Sequence, residues 1–259
     1  MSYTFTKMHG LGNDFVVLDA REQQINCTPP NIQRLSNRHE GIGCDQVLVI
    51  HPPMDDKANA YVAIYNADGQ EAAACGNGMR CISWLLGDRT TAPIVNLETT
   101  SGLISAKVVD DHRITVSMGK AVVTPFTEDI GVKTQHPPLK VDVGNPHLVL
   151  FGDNIDLAKI GGELSEKYDT NVEAAVVVSP NTIRMRVWER GTGITRACGT
   201  GACAVAAASK YYGKTQQPCT IMMDGGPLVI DIADDNAITM TGDVAYVYSG
   251  QLGQDFFKG

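Results

Sequence analysis

The chain has 259 residues, 43% of them hydrophobic, and its 29 acidic and 21 basic residues give a formal net charge of −8. This length is sufficient for one large core or two smaller ones. Because no Lys/Arg-rich stretch occurs, a nucleic-acid-binding protein is disfavoured. No apolar run approaches the length of a membrane span, and residues 1–10 lack the pattern of a secretory signal, so we expect a cytoplasmic protein.

Short apolar and alternating segments in the first half of the chain predict strands. They cover residues 15–18, 46–50, 61–65, 104–109 and 114–118. A peripheral helix is predicted at residues 31–38. A second helix, at residues 77–86, is apolar on nearly all faces, which is typical of a helix in a protein interior.

The second half predicts the same succession of elements. Its strands cover residues 141–143, 148–151, 175–178, 183–188 and 228–232. A peripheral helix is predicted at residues 156–168, and a helix that is again apolar on nearly all faces at residues 200–211. The tail sequence Ala245-Tyr-Val-Tyr248 predicts one more strand, which we expect to return to the first half.

Five pairs of similar segments follow each other in the same order in the two halves, which indicates an internal duplication. The pairs are Gly12-Asn-Asp-Phe-Val-Val-Leu18 with Gly144-Asn-Pro-His-Leu-Val-Leu150, Leu35-Ser36 and Val47-Leu-Val49 with Leu164-Ser165 and Val176-Val-Val178, Ala63-Ile-Tyr-Asn66 with Arg186-Val-Trp-Glu189, Cys75-Gly-Asn-Gly78 with Cys198-Gly-Thr-Gly201, and residues 102–117 with residues 226–241. Recurring strand–turn patterns of a β-rich protein would not explain the shared order.

The predicted fold class is therefore α+β, with two homologous domains. Each domain is expected to be a curved, mostly antiparallel, barrel-like sheet around a buried central helix. The boundary falls in residues 121–138, where Pro125, Gly131, Pro137 and Pro138 indicate a connection. We assign residues 1–120 to an N-terminal domain, residues 121–242 to a C-terminal domain, and residues 243–259 to a tail strand that returns to the N-terminal domain.

The seven cysteines are an odd number in a chain without an export signal, which favours free thiols over a disulfide framework. Neither a Cys-x-x-Cys motif nor paired histidines at ligand spacing occur, so no metal site is predicted. Cys75 and Cys198 differ from the others because each precedes Gly-x-Gly at the start of a predicted interior helix. We interpret the remaining five as small buried hydrophobic residues: Cys27, Cys44, Cys81, Cys203 and Cys219.

The start of a helix offers unpaired N–H groups and the positive end of the helix dipole. Both favour an anion, either a thiolate, whose pKa they lower, or the carboxylate of a substrate. Neither cysteine turn has the spacing of a nucleotide-binding loop. If the two domains face each other, Cys75 and Cys198 would lie on opposite sides of one bound molecule. Inversion of a stereocentre by proton transfer requires that arrangement.

Seven blocks of sequence carry a resemblance to a known family. They are Lys7-Met-His-Gly-Leu-Gly-Asn-Asp-Phe15, Arg38-His-Glu-Gly-Ile-Gly-Cys-Asp-Gln46, Asn66-Ala-Asp-Gly69, Ala74-Cys-Gly-Asn-Gly-Met-Arg-Cys81, Gly144-Asn-Pro-His147, Glu189-Arg-Gly191 and Ala197-Cys-Gly-Thr-Gly-Ala-Cys203. With them the sequence resembles the diaminopimelate epimerases over almost its whole length. The resemblance implies a homodimer that interconverts L,L- and meso-diaminopimelate without pyridoxal phosphate or any other cofactor, for lysine and peptidoglycan precursor synthesis.

The resemblance also implies roles for individual residues. Cys75 and Cys198 are expected to be the two acid–base groups, with Cys75 the base for the L,L isomer and Cys198 the base for the meso isomer. His147 and Glu189 are expected to support catalysis. Substrate contacts are expected from Asn13, Gln46, Asn66, Gly76, Asn77, Asn145, Asn171, Glu189, Arg190, Gly199 and Thr200. Amide side chains both donate and accept, and Arg matches a carboxylate, which suits a substrate with two zwitterionic ends.

Three positions depart from the family pattern. Ile194 stands where an acidic residue is common, Cys44 where Ala is usual, and Thr200 where Ser is frequent. Ile194 puts a supporting contact in question but not the two thiols. Two other functions stay open at this point, a proline or hydroxyproline racemase of the same superfamily and a thiol redox or binding protein in which Cys75 and Cys198 join on oxidation.

Overall fold

The structure is a computed structural model that describes residues 2–72, 75–87, 94–253 and 255–257. The chain divides into two compact units, one formed by Met1–Val116 with Asp243–Gly259 and the other by Ser117–Gly242. Ala74 of the first cysteine motif and residues 254, 258 and 259 of the predicted tail lie outside the described residues. No helix in the described part of the chain is long and apolar enough to cross a membrane.

The first stretch of chain alternates strands with two helices. It forms β1 (Tyr3–Gly10), β2 (Asn13–Asp19), α1 (Pro29–Ser36), β3 (Gln46–His51), β4 (Ala60–Asn66), β5 (Glu71–Ala72), α2 (Gly76–Leu86), β6 (Ile94–Thr99), β7 (Gly102–Val108) and β8 (Arg113–Lys120). The second stretch forms β9 (Val122–Pro125), β10 (Leu139–Asp142), β11 (Pro146–Phe151), α3 (Leu157–Tyr168), β12 (Asn171–Ser179), β13 (Thr182–Glu189), β14 (Gly193–Thr195), α4 (Gly199–Tyr211), β15 (Cys219–Met223), β16 (Gly226–Ile232), β17 (Ala237–Asp243) and β18 (Ala245–Leu252).

Strand pairing is the same in the two units. In the first unit the order is β18-β1-β2-β3-β4-β6-β7-β8, with β5 also on β4, and only β2–β3 and β4–β6 among these pairs are parallel. In the second unit the order is β9-β10-β11-β12-β13-β15-β16-β17, with β14 on β13, and the parallel pairs are β11–β12 and β13–β15. β18 thus fills in the first unit the place that β9 fills in the second.

Parallel strand registers relate individual residues of the two repeats. Phe15 lies opposite Gln46 in the first unit, and His147 lies opposite Asn171 in the second. Because Gly12-Asn-Asp-Phe15 corresponds in sequence to Gly144-Asn-Pro-His147, Gln46 corresponds to Asn171. The sequence match of Val47-Leu-Val49 with Val176-Val-Val178 is therefore out of register, since similar runs of Val align equally well at several offsets.

A helix is buried within each unit, as predicted. α2 buries every residue from Asn77 to Ser83, and α4 buries Gly199 and every residue from Gly201 to Ser209. Alanine and glycine dominate α4, so its backbone packs closely against the surrounding strands. A helix that is buried on nearly all faces requires a sheet that curves around it. The α+β class with mostly antiparallel sheets is thereby confirmed.

The peripheral helix α3 shows how an amphipathic face is fixed. Its buried residues, Leu157, Gly161, Leu164 and Ser165, recur at the spacing of one helical face. Gly161 permits a close approach, because a Cβ atom there would lie only 2.8 Å from Trp188 Cβ. The peripheral helix α1 also buries residues on one face, namely Asn31, Ile32, Leu35 and Ser36.

The helices in the described ranges lie where the sequence predicts them, but several strands do not follow from the sequence alone. β1 was not predicted because Lys7 interrupts its apolar pattern, and the structure buries Lys7 by pairing it with Asp14. β9 lies inside the stretch interpreted as a connection, where it pairs antiparallel with β10 and ends at Pro125. β5, β6, β14, β15 and β17 were missed as well.

Candidate active site

Each of the two singled-out cysteines is the N-cap residue of an interior helix. Cys75 has extended backbone angles (φ −149°, ψ 102°), and its sulfur accepts a hydrogen bond from the Gly78 N–H at 3.4 Å. Cys198 repeats this geometry (φ −131°, ψ 112°), with Gly201 N–H 3.4 Å from its sulfur. Both sulfurs therefore lie at the helix end where free N–H groups and the dipole favour an anion.

Amide side chains link Cys75 to a buried cation. Cys75 Sγ lies 3.8 Å from Asn13 Oδ1, which also accepts a hydrogen bond from Asn77 Nδ2 at 3.2 Å. Asn77 Oδ1 in turn accepts from Arg80 at 2.8 Å. Arg80 is completely buried, so its charge acts in a medium of low polarity. The chain from Arg80 to Cys75 contains no acidic side chain.

Asn13 is held in place by a network of ion pairs. Asp14 pairs with Lys7 at 2.5 Å and with Arg38 at 2.8 Å, while Asn13 Nδ2 donates to Asp45 at 3.2 Å. Burial alone would raise the pKa of Asp14. The hydrogen bonds and positive charges of Arg38 and Lys7 outweigh it and hold that pKa well below its usual range.

Gln46 and Asn66 form a pair at the same edge of the first sheet. They are opposite each other in the register of β3 and β4, and Gln46 Nε2 donates to Asn66 Oδ1 at 2.9 Å. Asn13 begins β2, Gln46 begins β3, and Asn66 ends β4. Since β2 and β3 are parallel and β4 runs antiparallel to them, all three residues lie at one edge.

A longer hydrogen-bond chain leads to Cys198. Its sulfur lies 3.5 Å from Thr200 Oγ1, which accepts from Asn145 Nδ2 at 3.3 Å. Asn145 Oδ1 is 3.1 Å from His147 Nε2, and His147 Nδ1 is 2.6 Å from Glu173 Oε1. The side chains of both His147 and Glu173 are completely buried.

Two carboxyl groups perturb the chemistry of Cys198. Burial raises the pKa of the Cys198 thiol well above its usual value, and the negative charges of Glu189 and Glu173 raise it further. Hydrogen bonds from Thr200 and Gly201 act in the opposite direction. Burial also raises the pKa of Glu189, against hydrogen bonds with Thr195 and Cys198. The Thr195 hydroxyl donates to Glu189 Oε1.

Asn171 and Arg190 are tied together at the corresponding edge of the second sheet. Asn171 Oδ1 accepts from the backbone N–H of Arg190 at 2.9 Å, and its Nδ2 donates to the Pro146 carbonyl at 3.1 Å. The Arg190 guanidinium is about half exposed and pairs with Asp169 at 2.9 Å.

The structure gathers the predicted residues around one cysteine in each unit. Beside Cys75 lie Gly76, Asn77 and Asn13, and beside Cys198 lie Gly199, Thr200 and Glu189. Asn145 and His147 are connected to Cys198 through Thr200. In the described part of the chain, hydrogen bonds and ion pairs to residues other than the two cysteines hold Gln46, Asn66, Asn171 and Arg190. Glu173, Thr195 and Arg80 were not predicted. One signal was available for Glu173, since it is the only charged residue in an otherwise apolar strand, Asn171-Val-Glu-Ala-Ala-Val-Val-Val178. Thr195 and Arg80 act through other side chains, and nothing in the sequence pattern indicated them.

Among the described residues, no group of three or more His, Cys, Asp or Glu side chains is placed to hold a metal ion. All seven cysteines are free thiols. Burial raises the pKa of Cys81 to about 12 and the pKa values of Cys27 and Cys219 to about 11, as expected of structural thiols in apolar surroundings.

Two solved structures share this fold. A hydroxyproline epimerase from Agrobacterium vitis superposes with a TM-score of 0.75 at 16% identity, covering 99% of this chain and 94% of that one. A phenazine biosynthesis protein from Bacillus anthracis gives 0.74 at 13% identity, covering 98% and 99%. At these identities the likeness shows a shared fold.

Sequence comparison is more specific. A protein named diaminopimelate epimerase from Rhodospirillum centenum is 40% identical over 273 aligned residues, which cover 98% of this chain and 94% of the relative. One of the same name from Caulobacter vibrioides is 39% identical and covers 97% and 98%. The model of the diaminopimelate epimerase family matches residues 5–124 and 139–247, segments that contain both cysteine N-caps and every residue of the two hydrogen-bond chains. The chain therefore belongs to the diaminopimelate epimerase family.

Proposed function

We propose that this protein interconverts L,L- and meso-diaminopimelate, with Cys75 and Cys198 exchanging protons at the α-carbon. The observation that carries the proposal is the repeated N-cap geometry, in which each thiol receives an N–H hydrogen bond at the start of an interior helix. A duplicated acid–base group is what a two-base inversion needs, because the proton leaves one face of the carbon and arrives on the other.

The α-carboxylate of the substrate is held by the free N–H groups that begin α2 and α4, at Gly76, Asn77, Gly199 and Thr200. These groups stabilise the negative charge that develops on the carboxylate as the α-proton leaves. One cysteine, as thiolate, takes the α-proton and becomes a thiol. The other, as thiol, delivers its proton to the opposite face and becomes a thiolate. The proposal requires both sulfurs to reach one α-carbon.

The surroundings of Cys198 support one starting protonation state. Burial and two carboxyl groups disfavour its thiolate, so Cys198 starts as the thiol. Cys75 is then the base for the L,L isomer, as the family resemblance implies. Cys198 is the base for the meso isomer, after turnover has reversed the two states.

The remaining predicted residues bind the two zwitterionic ends of the substrate. Amide side chains serve ammonium and carboxylate groups alike: Asn13, Gln46, Asn66, Asn145 and Asn171. Glu189 attracts the reacting ammonium group, Arg190 a carboxylate, and His147 orients Asn145. The proposed setting is the cytoplasm, where reduced thiols persist.

We further propose a homodimer that pairs through β18. Its residues Tyr246, Val247 and Tyr248 are each between 44% and 49% exposed, so this strand leaves apolar surface for a second copy to cover. Val247→Asp should convert the dimer to a monomer in analytical ultracentrifugation. A wild-type protein that sediments as a monomer at micromolar concentration would contradict this.

The activity is tested by incubating the protein with L,L-diaminopimelate in deuterated water without pyridoxal phosphate. Meso product that carries one α-deuterium is expected, together with no deuterium incorporation into L-proline. Cys75→Ala and Cys198→Ala should each abolish epimerisation. Cys81→Ala and Cys203→Ala are matched controls on the same two helices and should retain it, since both sulfurs are buried. Robust turnover in either Cys75→Ala or Cys198→Ala would refute the two-base assignment.

A further inference from the structure

Two equivalent buried positions near the cysteines are apolar in the first repeat and ionisable in the second. Phe15 corresponds to His147, and the parallel registers make Gln46 correspond to Asn171. Leu48 follows Gln46 by two residues, and Glu173 follows Asn171 by two residues. Leu48 and Glu173 are therefore equivalent. The first repeat carries an apolar Phe–Leu pair where the second carries a His–Glu pair, and all four side chains are buried.

The equivalent residues also contact equivalent glycines. A Cβ atom built on Gly78 would lie 3.1 Å from Leu48 Cδ1, and one built on Gly201 would lie 2.8 Å from Glu173 Oε1. The same Cβ atom at Gly201 would lie 3.4 Å from Cys198 Cβ. Glu173 thus packs against the first turn of α4, next to the cysteine that caps this helix.

This position has an electrostatic consequence. The N-terminal turn of a helix favours a nearby anion, and this effect falls off within that turn. In the second unit a completely buried carboxyl group already lies there, so a thiolate on Cys198 would be a second negative charge at short range and low polarity. In the first unit the equivalent residue, Leu48, carries no charge.

The hydrogen bonds of Glu173 indicate that it acts through its neighbours as well as through its charge. Oε1 lies 2.6 Å from His147 Nδ1, and the chain continues through Asn145 and Thr200 to the sulfur of Cys198. Its Oε2 atom has no hydrogen-bond partner among the described residues. The other charged group that acts on Cys198 is Glu189, from β13.

We propose that Glu173 is a positioning residue that, together with Glu189, holds Cys198 in the thiol form in the substrate-free enzyme and so distinguishes the surroundings of the two cysteine turns. It acts by placing a buried negative charge beside Cys198 and by fixing His147 at the far end of the hydrogen-bond chain. The inference rests on the proposed function and deepens it, since it names a residue that, with Glu189, favours Cys198 as the starting acid. The protonation of Cys198 itself can be measured without any turnover.

The test uses the full chain with Cys75→Ala, so that alkylation of Cys198 by iodoacetamide can be followed by peptide mass spectrometry against pH. Adding Glu173→Gln removes the charge but keeps the size of the side chain. The removal of a negative charge favours the thiolate, so the alkylation midpoint should move to lower pH. Below the midpoint the rate should rise roughly tenfold, the change that one pKa unit produces.

Two further variants separate charge from shape. Glu163→Gln, on the exposed face of α3, makes the same change of net charge and should leave the midpoint in place. His147→Phe with Glu173→Leu copies the first repeat and should lower the midpoint at least as far as Glu173→Gln. Circular dichroism spectra and thermal melts establish that each variant is folded.

A midpoint that stays unchanged in folded Glu173→Gln would overturn the proposal, and so would an equal shift in Glu163→Gln. If Glu173→Gln does not fold, Glu173→Asp keeps the negative charge but moves it away from Cys198 by the length of one methylene group. An alkylation midpoint equal to that of the Cys75→Ala parent would then overturn the charge effect. The wild-type protein could lack diaminopimelate activity while Glu173→Gln still moves the alkylation midpoint to lower pH. That result would refute only the proposed function and leave the inference about Glu173 in place.

Discussion

Asn171 Oδ1 accepts a hydrogen bond from the backbone N–H of Arg190 at 2.9 Å, across the edge of the second sheet. The same side chain donates to the Pro146 carbonyl at 3.1 Å, so one amide joins three segments of chain. Asn171 therefore sets the path of the backbone at the end of β13, where Arg190 follows Glu189.

Asn171→Ala should reduce both stability and substrate affinity. It removes two part-buried hydrogen bonds, to the Pro146 carbonyl and from the Arg190 N–H, which we expect to cost about 1 kcal/mol of unfolding free energy. The rise in KM for diaminopimelate should exceed the fall in kcat, because the change displaces Arg190 rather than a thiol. Asn154→Ala at an exposed position is the control. Urea unfolding and steady-state kinetics measure both, and wild-type behaviour of Asn171→Ala would contradict the prediction.

Gly201→Ala and Gly78→Ala should differ although they are equivalent positions of the repeat. The added methyl group meets the fixed carboxyl of Glu173 at 2.8 Å in one case and the movable Leu48 Cδ1 at 3.1 Å in the other. We expect Gly201→Ala to lose roughly 1–3 kcal/mol and Gly78→Ala clearly less. Thermal unfolding monitored by circular dichroism compares the two variants. Equal losses of stability would show that the Glu173 side chain moves aside as readily as that of Leu48.

Thr195→Val should alter the pH dependence of epimerisation. The hydroxyl hydrogen bond of Thr195 favours the ionised form of Glu189 against burial, so its loss raises the pKa of Glu189 further. The acidic limb of the kcat/KM profile should therefore move to higher pH. Ile194→Glu, next to it on an exposed site, should leave the limb in place, because Thr195 rather than residue 194 holds Glu189. An unchanged limb in Thr195→Val would exclude this role for the hydroxyl.

Asp14→Asn should make the stability of the protein less dependent on pH in the acidic range. The folded-state pKa of Asp14 is lowered, so its ion pairs with Lys7 and Arg38 contribute fully above the unfolded-state value of about 4 and are lost as the pH falls below it. The free energy of unfolding of the wild-type protein should fall steeply below pH 4. Asp14→Asn should have a lower free energy of unfolding at neutral pH and should lose less of it on acidification. Denaturant melts between pH 7 and pH 3 test this, with Asp56→Asn as an exposed control.

Much of the site could be predicted because its residues lie in sequence motifs that repeat. Both cysteine N-caps follow from Cys-Gly-x-Gly before an apolar helix, and Asn13 with Asn145 follows from the duplicated Gly-Asn segment. Glu173 was missed because its role comes from a strand register that the sequence does not encode locally. Lys7 misled the strand prediction for the same reason, since its partner Asp14 approaches only when β1 and β2 pair.

The place of β18 next to β1 has a consequence for how the protein is made. A ribosome delivers β1 first and β18 more than two hundred residues later, yet the two strands pair along seven positions. The first unit therefore emerges with one sheet edge unpaired, while the second unit, with β9 to β17 continuous in sequence, can complete its sheet without waiting. An edge left open during synthesis can pair with other chains. Ribosome-bound nascent chains that end before residue 245 should consequently expose the first unit to chaperones and proteases.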